Sequence, residues 1–108
     1  MKWFISQKMA GRTDEEVQAE RKLVTDAIKK LYPNDTVLDS FTADAEHTLH
    51  NRLWYLGYSL QFLSEADICV FVDDAPNRTS GCFIEYEACN EYKIRMAWFD
   101  TDTGHLLM

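Results

Sequence analysis

The chain has 108 residues, of which 46% are hydrophobic and 27% charged, a composition that excludes disordered and fibrous proteins and is sufficient for one folded domain. Its formal net charge is −7 and no basic run is longer than the pair Lys29-Lys30, so neither nucleic acid nor an anionic membrane is expected as a partner. The N-terminus lacks a signal-peptide pattern and no apolar run reaches membrane-spanning length, so we expect a cytoplasmic protein.

The first third of the chain predicts a strand, a helix and a second strand. Residues 3–5 form an apolar run, and after a turn-rich segment Thr13 is followed three residues later by Glu16, which is a capping-box pattern. Apolar residues then recur at helical spacing, at Val17, Val24, Ile28 and Leu31. Pro33 ends this predicted helix, and residues 36–39 form a plausible second strand.

The remainder of the chain continues the alternation of helix and strand. From Arg52 a helical period returns, with one predicted face formed by Leu53, Leu56, Leu60 and Leu63. Residues 68–72 are apolar throughout, as expected of a central parallel strand. A third helix is predicted over residues 80–92 and a fourth strand over 95–99, and turn residues 100–104 predict a return strand over 105–108.

This order of elements predicts the fold class. Alternating strands and helices indicate a single α/β domain, Rossmann-like and flavodoxin-like, with three α/β/α layers and four to five mostly parallel strands. Ligands bind such sheets beyond the carboxyl ends of the strands. We therefore expect residues 6–12, 39–41 and 73–85 to surround one crevice, with Asp73 among the candidate binding residues.

Three cysteines and two neighbouring histidines bear on metal and redox chemistry. Cys69, Cys82 and Cys89 form no CxxC pair and are predicted to be small buried hydrophobic residues in a reducing compartment. His47 and His50 have metal-like spacing but no third ligand, and a solvated pair is the favoured interpretation. We expect no metal, disulfide or cofactor.

The clearest candidate for chemistry is Glu85, four residues after Gly81. Gly81 permits a sharp turn and close backbone approach, and the start of the third helix offers free N–H groups to an anion. The helix dipole is expected to favour the ionised form of Glu85, which suits a carboxylate nucleophile. The alternative is a solvated carboxylate that only complements the helix start, and Glu87 is predicted to point to another face.

Four segments carry a resemblance to a known family: FISQKMAGR, TDEEVQAER, LSEADICVFVDD and SGCFIE. In this order and spacing they resemble the nucleoside 2-deoxyribosyltransferase superfamily, in particular its small bacterial and phage branch. The chain is also similar at a distance to the 2′-deoxynucleoside 5′-monophosphate N-glycosidases. The resemblance covers residues 3–98.

The resemblance implies a role for each matching residue. It makes Glu85 the nucleophile that attacks the anomeric carbon of the sugar, and Arg12, after Gly11, a contact to phosphate or base. It also implies that residues of the first loop line the base and sugar, among them Ser6, Gln7 and Met9. Thr79, Ser80 and Gly81 would then form the turn beside the phosphate.

Two positions depart from the family pattern and keep a second function open. Ser59 stands where the family has a sugar-binding aspartate, and a hydroxyl does not replace a carboxylate there. Thr79 stands where the transferases have Asp and the glycosidases have Ser, which favours a nucleotide over a nucleoside. The expected function is therefore cleavage or transfer at an N-glycosidic bond, the alternative being a non-catalytic nucleotide-binding module.

The second predicted helix carries more apolar surface than one small domain can cover. Trp54, Tyr58 and Phe62 lie at positions i, i+4 and i+8 beside the leucine face. Partial core packing is one interpretation. We expect a homodimer or higher homo-oligomer through residues 52–65, with Trp54 or Tyr55 as a candidate for stacking on a nucleobase.

Overall fold

The computed structural model describes residues 1–41, 52–77 and 81–108. In these residues five strands form one sheet in the order β2-β1-β3-β4-β5. The strands are β1 (Lys2–Ser6), β2 (Thr36–Val37), β3 (Ile68–Val72), β4 (Arg95–Asp100) and β5 (His105–Leu107). The first four are parallel and β5 is antiparallel to β4, so the predicted α/β class with a mostly parallel sheet and a return strand is confirmed. The sheet curls into a half-barrel.

Three helices accompany the sheet in the described part of the chain: α1 (Asp14–Leu31), α2 (Arg52–Leu63) and α3 (Gly81–Tyr92). The predicted capping box at the start of α1 is present. The Glu16 amide donates to Thr13 Oγ1 at 3.1 Å, and the Thr13 amide donates to Glu16 Oε1 at 3.2 Å. None of these helices has the length and apolar character needed to cross a membrane.

Two apolar clusters cover opposite faces of the sheet because strand side chains alternate in direction. The cluster beneath α1 is built from Trp3, Ile5, Val24, Ile28, Ile68, Val70, Val72, Ala97 and Phe99. The cluster beneath α2 and α3 is built from Phe4, Leu63, Cys69, Phe71 and Cys89. All five residues of β3 are buried, as the continuous apolar run predicts. The three cysteines are also buried, with free thiols, as expected.

Three local expectations are wrong. Leu31, predicted to lie on the core face of α1, is 58% exposed, because Tyr32 in the following turn packs on the Trp3 ring instead. Leu53 is 73% exposed, because α2 contacts the core through its C-terminal half, around Leu60 and Leu63. The second strand pairs only over Thr36–Val37, at the edge of the sheet, and is shorter than predicted.

Candidate functional site

The carboxyl end of β1 meets the first turns of α3 at a buried hydrogen bond. Ser6 is the last residue of β1, and strand alternation places its side chain on the same face as Phe4, which packs against α3. Ser6 Oγ donates to Glu85 Oε1 at 2.7 Å. Ser6 is 1% exposed and Glu85 is 6% exposed. Two residues that the resemblance assigns to one site are therefore in direct contact, although 79 positions separate them in the chain.

Burial controls the protonation of Glu85. Removal of the carboxyl from water raises the pKa of Glu85 from its usual 4.5 to about 7. Hydrogen bonds from Ser6 and Cys82 and the positive charge of Arg21 act in the opposite direction. The expectation that the helix dipole keeps Glu85 ionised is therefore corrected, since desolvation outweighs the favourable contacts. Both protonation states are populated near neutral pH.

The alternative of a solvated carboxylate at the helix start is also wrong for Glu85. The side chain points into the space between α3 and the end of β1, where Ser6 covers it. Glu87, two positions later, is exposed, as the helical geometry predicts. Of these two carboxylates, only Glu85 lies at the junction with β1.

Arg21 of α1 is a buried arginine whose charge acts on Glu85, and the sequence pattern was not used to predict it as a site residue. Arg21 of α1 is 8% exposed and donates from Nη1 to Gln7 Oε1 at 3.0 Å. Gln7 in turn donates to Glu20 Oε1 at 2.9 Å, so the first loop is bound to α1 through side chains. Burial lowers the pKa of Arg21, and the negative charges of Asp39 and Glu85 oppose that effect.

A signal for Arg21 was present in the sequence. Val17, Arg21, Val24 and Ile28 follow one helical stripe, and all four side chains are buried. A charged residue inside an apolar stripe is unusual, because a buried charge needs polar partners. That position therefore indicated a site residue before the fold was known.

Arg12, the expected phosphate contact, is held by an acidic neighbour. Its Nη1 donates to Glu20 Oε1 at 2.9 Å and its Nη2 to Glu20 Oε2 at 3.2 Å, which is a two-point pairing. Nη1 also donates to the Lys8 carbonyl at 3.0 Å. The hydrogen bond to Glu20 raises the pKa of Arg12. A phosphate at Arg12 would therefore have to share or displace Glu20.

The backbone around Arg12 forms a tight turn. The Arg12 amide donates to the carbonyl of Met9 at 3.2 Å, and Met9 is half-buried. Gly11 has a φ of +76°, a left-handed conformation that favours glycine. The small-residue character of this loop thus has a local structural reason, independent of any ligand.

Asp73 has a structural role at the end of β3. Its carboxylate accepts hydrogen bonds from the Thr101 amide at 2.8 Å and from Thr101 Oγ1 at 2.7 Å. Its own φ is +53°, so it forms the turn that leaves the strand. These contacts fasten the end of β3 to the turn between β4 and β5.

The remaining predicted residues are on α2 and at the start of α3. Trp54 and Tyr58 stack with ring centroids 5.6 Å apart and line a cavity of about 250 Å³ together with Gly57 and Gln61. Tyr55 and Ser59 are half-buried on the same helix and are not part of that lining.

Gly81 begins α3 with an ordinary φ. An added Cβ at this position would lie 3.6 Å from Leu56 Cδ1, which is ordinary contact. The expected sharp turn and close backbone approach at Gly81 are therefore not required by its own geometry. Thr79 and Ser80 lie outside the described residues, as do His47 and His50.

Three buried thiols lie near the Glu85 carboxyl, two of them on α3 and one on β3. Cys82 is hydrogen-bonded to Glu85, and the thiols of Cys69 and Cys89 are hydrogen-bonded to each other. Burial raises the pKa of Cys69 well above its usual value, so that thiol stays protonated. No group of His, Cys, Asp and Glu side chains within residues 1–41, 52–77 and 81–108 is arranged to hold a metal ion.

Comparison with known proteins gives no match at a significant level among protein-family models, curated proteins or solved structures.

Proposed function

We propose that the chain cleaves or transfers the N-glycosidic bond of a (deoxy)nucleotide, with Glu85 as the nucleophile. The observation that carries the proposal is the 2.7 Å hydrogen bond from Ser6 to Glu85, which joins the carboxyl end of β1 to the candidate carboxylate. In the proposed step a Glu85 oxygen bonds to the anomeric carbon as the carbon–nitrogen bond breaks, and the departing base nitrogen takes a proton from solvent water. Water, or a second base, then attacks the glycosyl ester and releases Glu85.

Only the ionised form of Glu85 can act as this nucleophile. With a pKa of about 7, the ionised fraction rises through neutral pH. Ser6 fixes the carboxylate orientation and Arg21 supports its negative charge. We therefore expect base release to increase as the pH rises through about 7.

The decisive experiment is release of free base, followed by chromatography. The purified chain is incubated with the four 2′-deoxynucleoside 5′-monophosphates and, separately, with the corresponding nucleosides. Glu85→Ala and Glu85→Gln should each lower the rate by about a thousandfold or more, because both remove the nucleophile. Glu87→Gln is the matched control, since it changes an exposed glutamate on the same helix. Turnover that survives in both Glu85 variants contradicts the proposed nucleophile.

A second function is favoured by two observations. Glu85 is almost fully buried, and Ser59 stands where a sugar-binding acid is expected. A non-catalytic nucleotide-binding module would need neither an accessible carboxylate nor that acid. Thermal melting distinguishes the two functions, because such a module is stabilised by a nucleotide that is recovered intact.

We also propose the finer architecture, a Rossmann-like and flavodoxin-like arrangement of three layers. The strand order β2-β1-β3-β4-β5 supports it, since this is the order of flavodoxin-like sheets. The separate apolar clusters on the two faces of the sheet, one with α1 and one with α2 and α3, support it as well.

We propose a cytoplasmic homodimer formed through α2. Leu53 and Trp54 support the interface, being 73% and 45% exposed on one helix. The buried free thiols agree with a reducing compartment. Light scattering after size exclusion should give the mass of a dimer, and Trp54→Glu should give a monomer. Tyr92→Glu, which changes a 77% exposed aromatic residue on α3, is the control.

A further inference from the structure

A second cavity, of about 230 Å³, lies between α1 and the end of β2. Its lining consists of Gln18, Arg21, Thr25, Val37, Leu38 and Asp39. It differs from the α2 cavity in that two oppositely charged side chains contribute to its wall. A ligand in this cavity would therefore contact both a cation and an anion of the protein.

The cation is Arg21, which is buried and forms no salt bridge with a carboxylate of the described residues, although the charges of Asp39 and Glu85 act on it from farther away. It donates to two neutral oxygens, from Nη1 to Gln7 Oε1 at 3.0 Å and from Nη2 to the Leu38 carbonyl at 3.4 Å. No carboxylate oxygen in the described part of the chain is within salt-bridge distance of its guanidinium. A guanidinium has five N–H donors, and a buried charge is costly unless an opposite charge compensates it. The cavity beside Arg21 therefore suits an anionic group.

The anion is Asp39, which is exposed two residues after the end of β2. It interacts electrostatically with Arg21 but forms no salt bridge with it, and both residues line the same cavity. Gln18 and Thr25 add polar side chains from α1. The wall thus offers a buried donor at one position and an acceptor at another.

We propose that this cavity binds a small carboxylate with an amino or hydroxyl group on the neighbouring carbon, an α-amino or α-hydroxy acid. The carboxylate pairs with Arg21, because guanidinium and carboxylate form charge-assisted hydrogen bonds. The amino or hydroxyl group donates to Asp39. Asp39 and the net charge of −7 disfavour a doubly charged phosphate in the same place. Such binding does not depend on any reaction at Glu85.

Isothermal titration calorimetry of the full chain tests this assignment with four probes: L-serine, L-lactate, acetate and inorganic phosphate. L-serine and L-lactate should bind saturably, and acetate about tenfold more weakly, since it lacks the group that donates to Asp39. Phosphate should bind more weakly than L-serine. Saturable binding should be lost in Arg21→Gln and kept in Lys30→Gln, which changes an exposed cation on the same helix.

Asp39→Asn keeps the test decisive if Arg21→Gln does not fold, because Asp39 is exposed. This variant should weaken L-serine about tenfold and leave acetate binding unchanged or tighter. Amide chemical-shift changes on L-serine addition should be centred on residues 18–25 and 37–39. Three results would each overturn the assignment. The first is equal affinity for phosphate and L-serine, and the second is undiminished L-serine binding by Asp39→Asn. The third is no saturable binding of either substituted acid at millimolar concentration.

Discussion

Replacement of Glu85 by glutamine measures how strongly burial controls this site. The shift of the Glu85 pKa from 4.5 to about 7 means that the folded protein holds the proton more tightly than the unfolded chain does. At about 1.4 kcal/mol per pKa unit, this corresponds to about 3 kcal/mol. The contribution of this pKa shift to the free energy of unfolding is fully present below pH 4.5 and is lost as the pH rises through about 7. Glutamine is neutral at every pH and keeps an oxygen that accepts the Ser6 hydroxyl.

The assay is equilibrium unfolding in urea across the pH range, with wild type and variant compared at each pH. Between about pH 5.5 and pH 8 the stability advantage of Glu85→Gln should grow by about 2 kcal/mol. Other titrating groups change equally in both proteins and cancel in the difference. Glu87→Gln, at an exposed site, should stay within about 0.5 kcal/mol of wild type. A Glu85→Gln difference that is constant with pH would refute the conclusion that burial raises the pKa of this carboxyl.

Substitutions at three further positions test individual contacts. Ser6→Ala removes a donor that lowers the Glu85 pKa, so it should lower the free energy of unfolding by about 1–3 kcal/mol. The loss should be larger at pH 8 than at pH 5, because the bond favours the ionised carboxylate. An equal loss at both pH values contradicts the role assigned to the bond. Thr13→Ala should lower the free energy of unfolding by about 1 kcal/mol through loss of the α1 cap, and an unchanged urea midpoint would rule that out. Asp73→Ala should lower the free energy of unfolding by about 2 kcal/mol, because two hydrogen bonds to Thr101 are lost and alanine adopts a φ of +53° poorly. Asp73→Asn, which retains one side-chain acceptor, should cost less.

Local patterns in the sequence were sufficient for most elements of the fold. The capping box at Thr13 and Glu16, and the uninterrupted apolar run of β3, each depend on residues close together in the chain. The turn before β5 has the same local origin. These signals work because helix caps, turns and strand burial patterns are set by neighbouring residues.

Exposure at the ends of the helices could not be predicted in this way. Leu31 and Leu53 have the correct helical spacing for the core, yet both are exposed. Periodicity gives the face of a helix, but the length of helix that lies over the sheet depends on where distant strands end. For α2, the contact is limited to the half that ends at Leu63.

The sequence by itself determined the α/β class, the mostly parallel sheet and the choice of Ser6 and Glu85 as candidates for one site. Only the tertiary structure decided that Ser6 covers Glu85, that Arg21 lies behind them, and that Arg12 is paired with Glu20. The physical reason is that a pKa and a salt bridge depend on which atoms exclude water around a charge. Those atoms come from β1, α1 and α3 together, and no local pattern in the chain specifies their arrangement.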